Sequence, residues 1–125
     1  MASQVDELLE IYGAAQLEQS YGVSVVLVRG GLESAPFTAT WEHIEYEVSD
    51  QNGFLTKRTS RDFVFPKPAT VLGGELVEPR AGDRLRLTEN GVKQEFELVP
   101  MDKLPAAELL PGGYRWRVRT KKVAL

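Results

Sequence analysis

Up to about residue 21 the chain spaces its apolar residues as a helix does, and from Val23 onward it alternates them. Val5, Leu8, Leu9, Tyr12 and Ala15 recur at intervals of three and four, the period of one helical face. Ser3 stands where it can cap such a helix, with Asp6 three residues later and Glu7 near the positive end of the dipole. Gly22 supplies a stop after Tyr21. The pattern predicts an N-terminal α-helix over residues 1–21, with Ile11 and Leu17 off its main face.

The rest reads as strands. Val23–Val28 is closed by Gly30-Gly31. Phe37, Ala39 and Trp41 alternate in one parity, then Ile44, Tyr46 and Val48 in the other, which predicts a bulge near Glu42-His43. Asp50-Gln51-Asn52-Gly53 turns the chain into a long strand ending at Phe65, before Pro66 and Pro68. Asn90-Gly91 between Arg84–Thr88 and Gln94–Leu98 is the strongest hairpin signal present. The last strand, Tyr114–Val123, places Tyr114, Trp116 and Val118 inward and Arg115, Arg117, Arg119 and Lys121 outward. Two long loops interrupt this series, 66–82 and 101–113, and the second contains a stretch fit for one or two helical turns. The expectation is a mainly β domain over residues 1–125. The N-terminal α-helix packs on a small antiparallel β-barrel or sandwich of about six strands, with Phe63, Phe65, Phe96 and Trp116 in its core.

Charge changes this picture from a fold to a polarised object. Residues 1–50 carry nine acids against one base, Arg29, whereas residues 114–125 carry five bases and no acid. Such asymmetry suits copies that associate head to tail, a basic surface for a polyanion, or mutual neutralisation within one fold. The whole chain, 125 residues with 42% hydrophobic and 26% charged, has the composition of a folded domain. No apolar run approaches the ~20 residues that span a bilayer, and the first residues lack the basic flank and apolar stretch of a signal peptide. No membrane partner is expected.

Candidate chemistry is sparse. With no Cys and one His, thiolate chemistry is excluded and most zinc and general-base arrangements with it. His43 has only Glu42 and Glu45 near it in sequence and reads as a half-buried strand histidine. Glu45 with Glu47, and Glu95 with Glu97, share strand faces as solvated carboxylates do. Gly73-Gly74 and Gly112-Gly113 lack the Lys, Ser or Thr of a phosphate loop. No enzyme, cofactor or metal site is expected. The one functional constellation is Arg115, Arg117, Arg119 and Lys121, a row roughly 20 Å long at ~3.3 Å per residue. It can meet an acidic protein surface, track nucleic-acid phosphates, or guard an edge strand against aggregation. Tyr114 and Trp116 share the opposite parity, which argues against base stacking on that face.

The succession Arg61-Asp62-Phe63-Val64-Phe65, then "VLGGELVEP", "RAGDRL", "FELVP" and a terminal "YRWRVRTKK" resembles the head–tail joining, or head-completion, proteins of tailed-phage and prophage necks. The resemblance covers roughly residues 22–122 and is weakest over Met101–Gly113. It implies a structural subunit that forms a ring of six or twelve copies against a portal or adaptor ring. Such a ring extends or closes the DNA channel, touching channel DNA non-specifically, and receives tail proteins. The implied location is the virion neck, after a period in the host cytoplasm. Two alternatives stand beside it: a nucleic-acid-binding β-barrel that uses the basic last strand, and a tail-completion (tail terminator) ring protein.

Overall fold

The computed structural model describes residues 21–124, and in it the alternating stretches pair as antiparallel strands throughout. Two three-stranded meanders make up the body. The first is β1 (Tyr21–Arg29), β3 (Phe37–Ser49) and β4 (Leu55–Pro66), with the short β2 (Leu32–Glu33) folded back on β1. The second is β7 (Arg84–Glu89), β8 (Val92–Leu98) and the terminal strand, which divides at Arg119 into β10 (Arg115–Val118) and β11 (Thr120–Val123). β1 pairs with β7 on one side, and β10 pairs with β4 on the other. Because β10 and β11 are one strand broken only at Arg119, these pairings run β1–β3–β4–β10/β11–β8–β7–β1 and close a barrel. The remaining strands lie in the connections: β5 (Val71–Leu72) with β6 (Glu75–Leu76), and β9 (Ala107–Leu109) on the free edge of β10.

Register decides what fills the barrel. Residues opposite one another in an antiparallel pair share a face, so Leu27 with Leu85, Leu85 with Phe96, Phe65 with Trp116 and Phe63 with Val118 all point inward. Phe63, Phe65, Phe96 and Trp116 are buried, as the alternation predicts. Phe63 meets Phe96 edge to face at 5.5 Å between centroids, and Phe37 tilts on Phe65 at 5.0 Å. The β7–β8 hairpin turns through Asn90 (φ 52°) and Gly91 (φ 79°), both left-handed as a two-residue turn of matching twist requires.

Several expectations need correction. The described residues contain no α-helix, only the 3-10 turn Lys67–Ala69, so the class there is antiparallel β alone. The helix expected over 1–21 lies outside the described residues except at Tyr21, which begins β1. The six long strands are present, but four short ones occupy the connections. The loop 66–82 holds the β5–β6 hairpin, pinned where Thr70 Oγ1 donates to the Val77 carbonyl at 2.5 Å. The segment 101–113 forms no helical turns: Met101 bridges Leu104, Pro105 follows, and Ala107–Leu109 is drawn onto the edge of β10. Tyr114, expected inward, is 79% exposed just before β10 begins.

No bulge interrupts β3 against β4, whose register is continuous from Thr40 opposite Val64 to Ser49 opposite Leu55. The parity of burial flips for another reason. Among the described residues β1 accompanies β3 only as far as Trp41, and beyond that point β3 and β4 continue as a two-stranded ribbon. Within the barrel Ala39 and Trp41 face the core. On the ribbon the opposite side carries Ile44, Tyr46 and Val48, and Arg119 lies over Tyr46 with its guanidinium carbon 5.4 Å from the ring centroid. His43 consequently falls on the exposed side of the ribbon root, beside the Trp41 ring at 5.2 Å.

Truncating Phe63 to Ala should cost about 3–5 kcal/mol, since it empties a fully buried ring position between the two meanders. Phe54→Ala at the exposed ribbon tip should stay within about 0.5 kcal/mol. Urea denaturation of the two variants beside the parent measures both.

Candidate interaction surfaces

The seam where β4 meets the terminal strand holds a network of buried charge on the outer side of the barrel. Asp62, fully buried, sits on that side of β4. Its carboxylate accepts hydrogen bonds from Ser60 Oγ (2.5 Å), the Tyr46 hydroxyl (2.5 Å) and Arg117 Nε (2.8 Å). Arg117 also reaches Glu42 through Nη2 at 3.1 Å. Burial opposes the charged guanidinium of Arg117, but the hydrogen bond and charge of Asp62 outweigh it and leave its pKa raised. The Tyr46 hydroxyl also titrates above its usual range, because burial and the bond to Asp62 disfavour the phenolate.

Arg119 extends the network to the segment that precedes β10. It donates through Nε to the Tyr46 hydroxyl at 3.0 Å, through Nη1 to the Pro105 carbonyl at 2.8 Å, and through Nη2 to Glu108 on β9. Its backbone joins in: Arg119 N donates to Ala106 O and Val99 N to Arg119 O. One residue on, Thr120 N donates to Ser60 Oγ at 3.0 Å and Thr120 Oγ1 to the Arg61 carbonyl at 2.6 Å. These hydroxyl bonds bridge the gap that opens where the strand parts from β4 and stays with β8.

The four cations singled out by alternation therefore separate into two kinds. Arg117 and Arg119 are half-buried and buried, each with carboxylate partners inside the chain, so the row does not consist of four free cations. Arg117 is taken by Asp62 and Glu42, and Arg119, at the break between β10 and β11, is taken by Glu108. Arg115 and Lys121 remain exposed and form no ion pair among the described residues. Of the five described acids up to Asp50, Glu42 alone pairs with the terminal strand, while Glu33 pairs with Arg86 and Glu45 with Lys57. Alternation located the arginines but not Asp62, Tyr46 and Glu108. The available signal was an Asp inside an apolar strand, Arg61-Asp62-Phe63-Val64-Phe65, where a carboxylate is tolerated only with partners.

The outer surface of the second meander is a ladder of opposite charges. Glu95, buried between two arginines, accepts from Arg84 Nη1 (3.0 Å) and Arg86 Nε (2.9 Å). Arg86 and then Arg84 hold its carboxyl below the ordinary range, and Arg61 does the same for Glu89. Arg29 forks onto Asp83 with two bonds of 2.8 Å and anchors the turn before β7. Apolar exposure collects at two tips. Phe54 and Leu55, 68% and 64% exposed, crown the ribbon, where Asp50 Oδ1 accepts from the backbone N–H of Asn52 and of Phe54 and stiffens the turn. Leu32, Val71 and Leu76 are exposed on β2 and the β5–β6 hairpin. Among the described residues no group of three or more His, Asp or Glu is placed to hold a metal ion.

A family model described as phage head-tail joining protein matches residues 6–124. No curated protein and no solved structure matches the chain.

Replacing Arg117 with Gln leaves the Asp62 charge buried without its counter-charge and should cost about 3–5 kcal/mol. Lys121→Gln, on the exposed side of the same strand, should change stability by no more than about 0.5 kcal/mol. Denaturant midpoints for the pair check the division. The double reversal Arg117→Glu with Arg119→Glu should accordingly unfold the seam instead of leaving the fold intact.

Acid should weaken the barrel through Glu95 and Glu89. Their folded pKa values lie below the unfolded carboxylate value of about 4.3, so their contribution is full above that value. It is lost as pH falls through the folded one. The melting temperature should drop below about pH 4.3, and Glu95→Gln should be less stable at neutral pH but show a shallower acid slope.

Proposed function

Because this chain belongs to the phage head-tail joining protein family, we propose that it is a ring-forming structural subunit of a tailed-phage neck. In this reading identical copies, six or twelve of them, stack against the portal or an adaptor ring, extend or close the DNA channel and offer the surface onto which tail proteins dock. The protein waits in the host cytoplasm until heads are filled. The observation that carries the reading is the family match, which spans nearly the whole chain.

The surfaces agree with a subunit that binds others of its kind. Arg115 and Lys121 give the outer face of the terminal strand two cations without an ion pair among the described residues, and the exposed acids Glu45, Glu47 and Asp50 lie on the ribbon. A heterologous contact between these two surfaces repeats around a ring when the rotation between neighbours closes. The rigid, apolar ribbon tip at Phe54 and Leu55 is the kind of anchor that seats in a neighbour's pocket. The nucleic-acid reading loses support, since a phosphate-tracking row needs consecutive free cations and Arg117 and Arg119 are spent on Asp62, Glu42 and Glu108.

Reversing Arg115 and Lys121 together to Glu should leave the melting temperature of the isolated protein nearly unchanged. In the phage that encodes this chain it should yield DNA-filled heads without attached tails, visible by negative-stain electron microscopy. Normal numbers of tailed, infectious particles from the doubly reversed variant would remove these two residues from the joint.

A further inference from the structure

The barrel end from which the ribbon leaves is not sealed by apolar side chains. Five polar groups gather at that open end, where the inward faces of the strands run out into solvent. Lys122 stands opposite Phe96 across β11 and β8, and so shares the face of a core residue. His43 and Arg61 stand opposite one another on β3 and β4, on the face of Trp41 and Phe63. With Thr59, Gln94 and the edge of Phe96 they line an open cavity of about 260 Å³.

Arg61 forms its floor. It is only 9% exposed, with its guanidinium carbon 3.8 Å from the Trp41 ring centroid and 4.9 Å from that of Phe96. Nη1 and Nη2 donate to Glu89 at 2.9 and 2.6 Å, while Nε is buried without a partner. Glu89 therefore offsets one cation, and Lys122, which forms no ion pair among the described residues, leaves the lining with one positive charge in excess. Mouths of β-barrels are common ligand sites, and a recess with a fixed aromatic–arginine floor and one free ammonium suits a single small anion.

We propose that this barrel mouth binds the carboxylate of an aspartate or glutamate side chain presented by another protein chain. Lys122 supplies the charge, and Thr59, Gln94 and His43 supply hydrogen bonds around it. The surroundings disfavour a nucleic acid as the occupant. Glu47 continues from His43 along the same face of β3, past Glu45 with its partner Lys57, and Glu89 flanks the cavity, so a polyanion with regularly spaced phosphates meets a carboxylate on either side. A single carboxylate on an extended segment enters the recess without crossing those charges. The proposal stands on the barrel mouth alone, so its failure leaves the family reading untouched.

The test is an NMR titration of the intact protein at fixed ionic strength, with three probes: a capped Gly-Glu-Gly peptide, its Gly-Gln-Gly counterpart, and a short DNA duplex. The acidic peptide should shift the signals of His43, Thr59, Gln94 and Lys122 saturably, and the amide counterpart should not. Lys122→Gln should weaken the response about tenfold, the effect of losing one charge-assisted hydrogen bond. Lys121→Gln, one residue away on the outer face, should leave it within about twofold, as a surface charge without contact would. No saturable shift, equal weakening by both variants, or stronger movement of the same signals by DNA than by the peptide would each overturn the proposal.

Discussion

Asp62 is a fully buried carboxylate at the point where the barrel closes, and the seam is built around its hydrogen-bond partners. A lone carboxylate so placed is strongly disfavoured. Here Arg117 arrives from the terminal strand with the counter-charge, and Ser60 and Tyr46 fill remaining acceptor sites. The pairing is possible only if β10 lies in register beside β4, with Arg117 opposite Val64 and one step from Asp62. The charge thus selects the register of closure, which apolar contacts alone select less sharply. Slipping the terminal strand by one residue would face Trp116 outward and leave Asp62 beside an apolar side chain.

The next residue back along β4 uses the opposite face. Arg61 points into the barrel and is held by Trp41, Phe96 and Glu89, while Asp62 points out and is held by Arg117. Adjacent residues of opposite charge therefore serve the interior and the exterior of one strand. Together with Ser60 and Thr120 they mark the place where the ribbon departs and the terminal strand changes partners. The ribbon is rigid at its root for this reason: Tyr46 is tied both to Asp62 and to Arg119, and Arg119 is tied to Pro105 and Glu108.

Much of the barrel was legible in the sequence, because period-2 alternation is a local signal and the turn residues are explicit. Asn90-Gly91 marked its hairpin, and the inward aromatics followed from parity alone. What escaped were features set by distant partners. The apparent bulge at Glu42-His43 arises from the end of β1, a fact about a strand some twenty residues earlier. The strand in 101–113 exists because β10 offers an open edge. The outward row of Arg115, Arg117, Arg119 and Lys121 assumed an unbroken strand, and the break at Arg119 depends on whether β4 or β8 lies alongside. Asp62 was visible as an acid among aromatics, but two of its three partners, Tyr46 and Arg117, come from other strands.

In the proposed reading Arg117 and Arg119 fasten the barrel, while Arg115, Lys121 and the ribbon tip are left for neighbours. A side-chain-resolution reconstruction of the phage neck by electron cryomicroscopy measures this directly. The account predicts this chain in a ring of copies, with Arg117 and Arg119 still bound to Asp62 and Glu108 of their own barrel. Arg115, Lys121 and the Phe54-Leu55 tip should lie against adjacent subunits. A single copy at the neck, or Arg117 and Arg119 paired across a subunit boundary while Arg115 and Lys121 face open solvent, would contradict it.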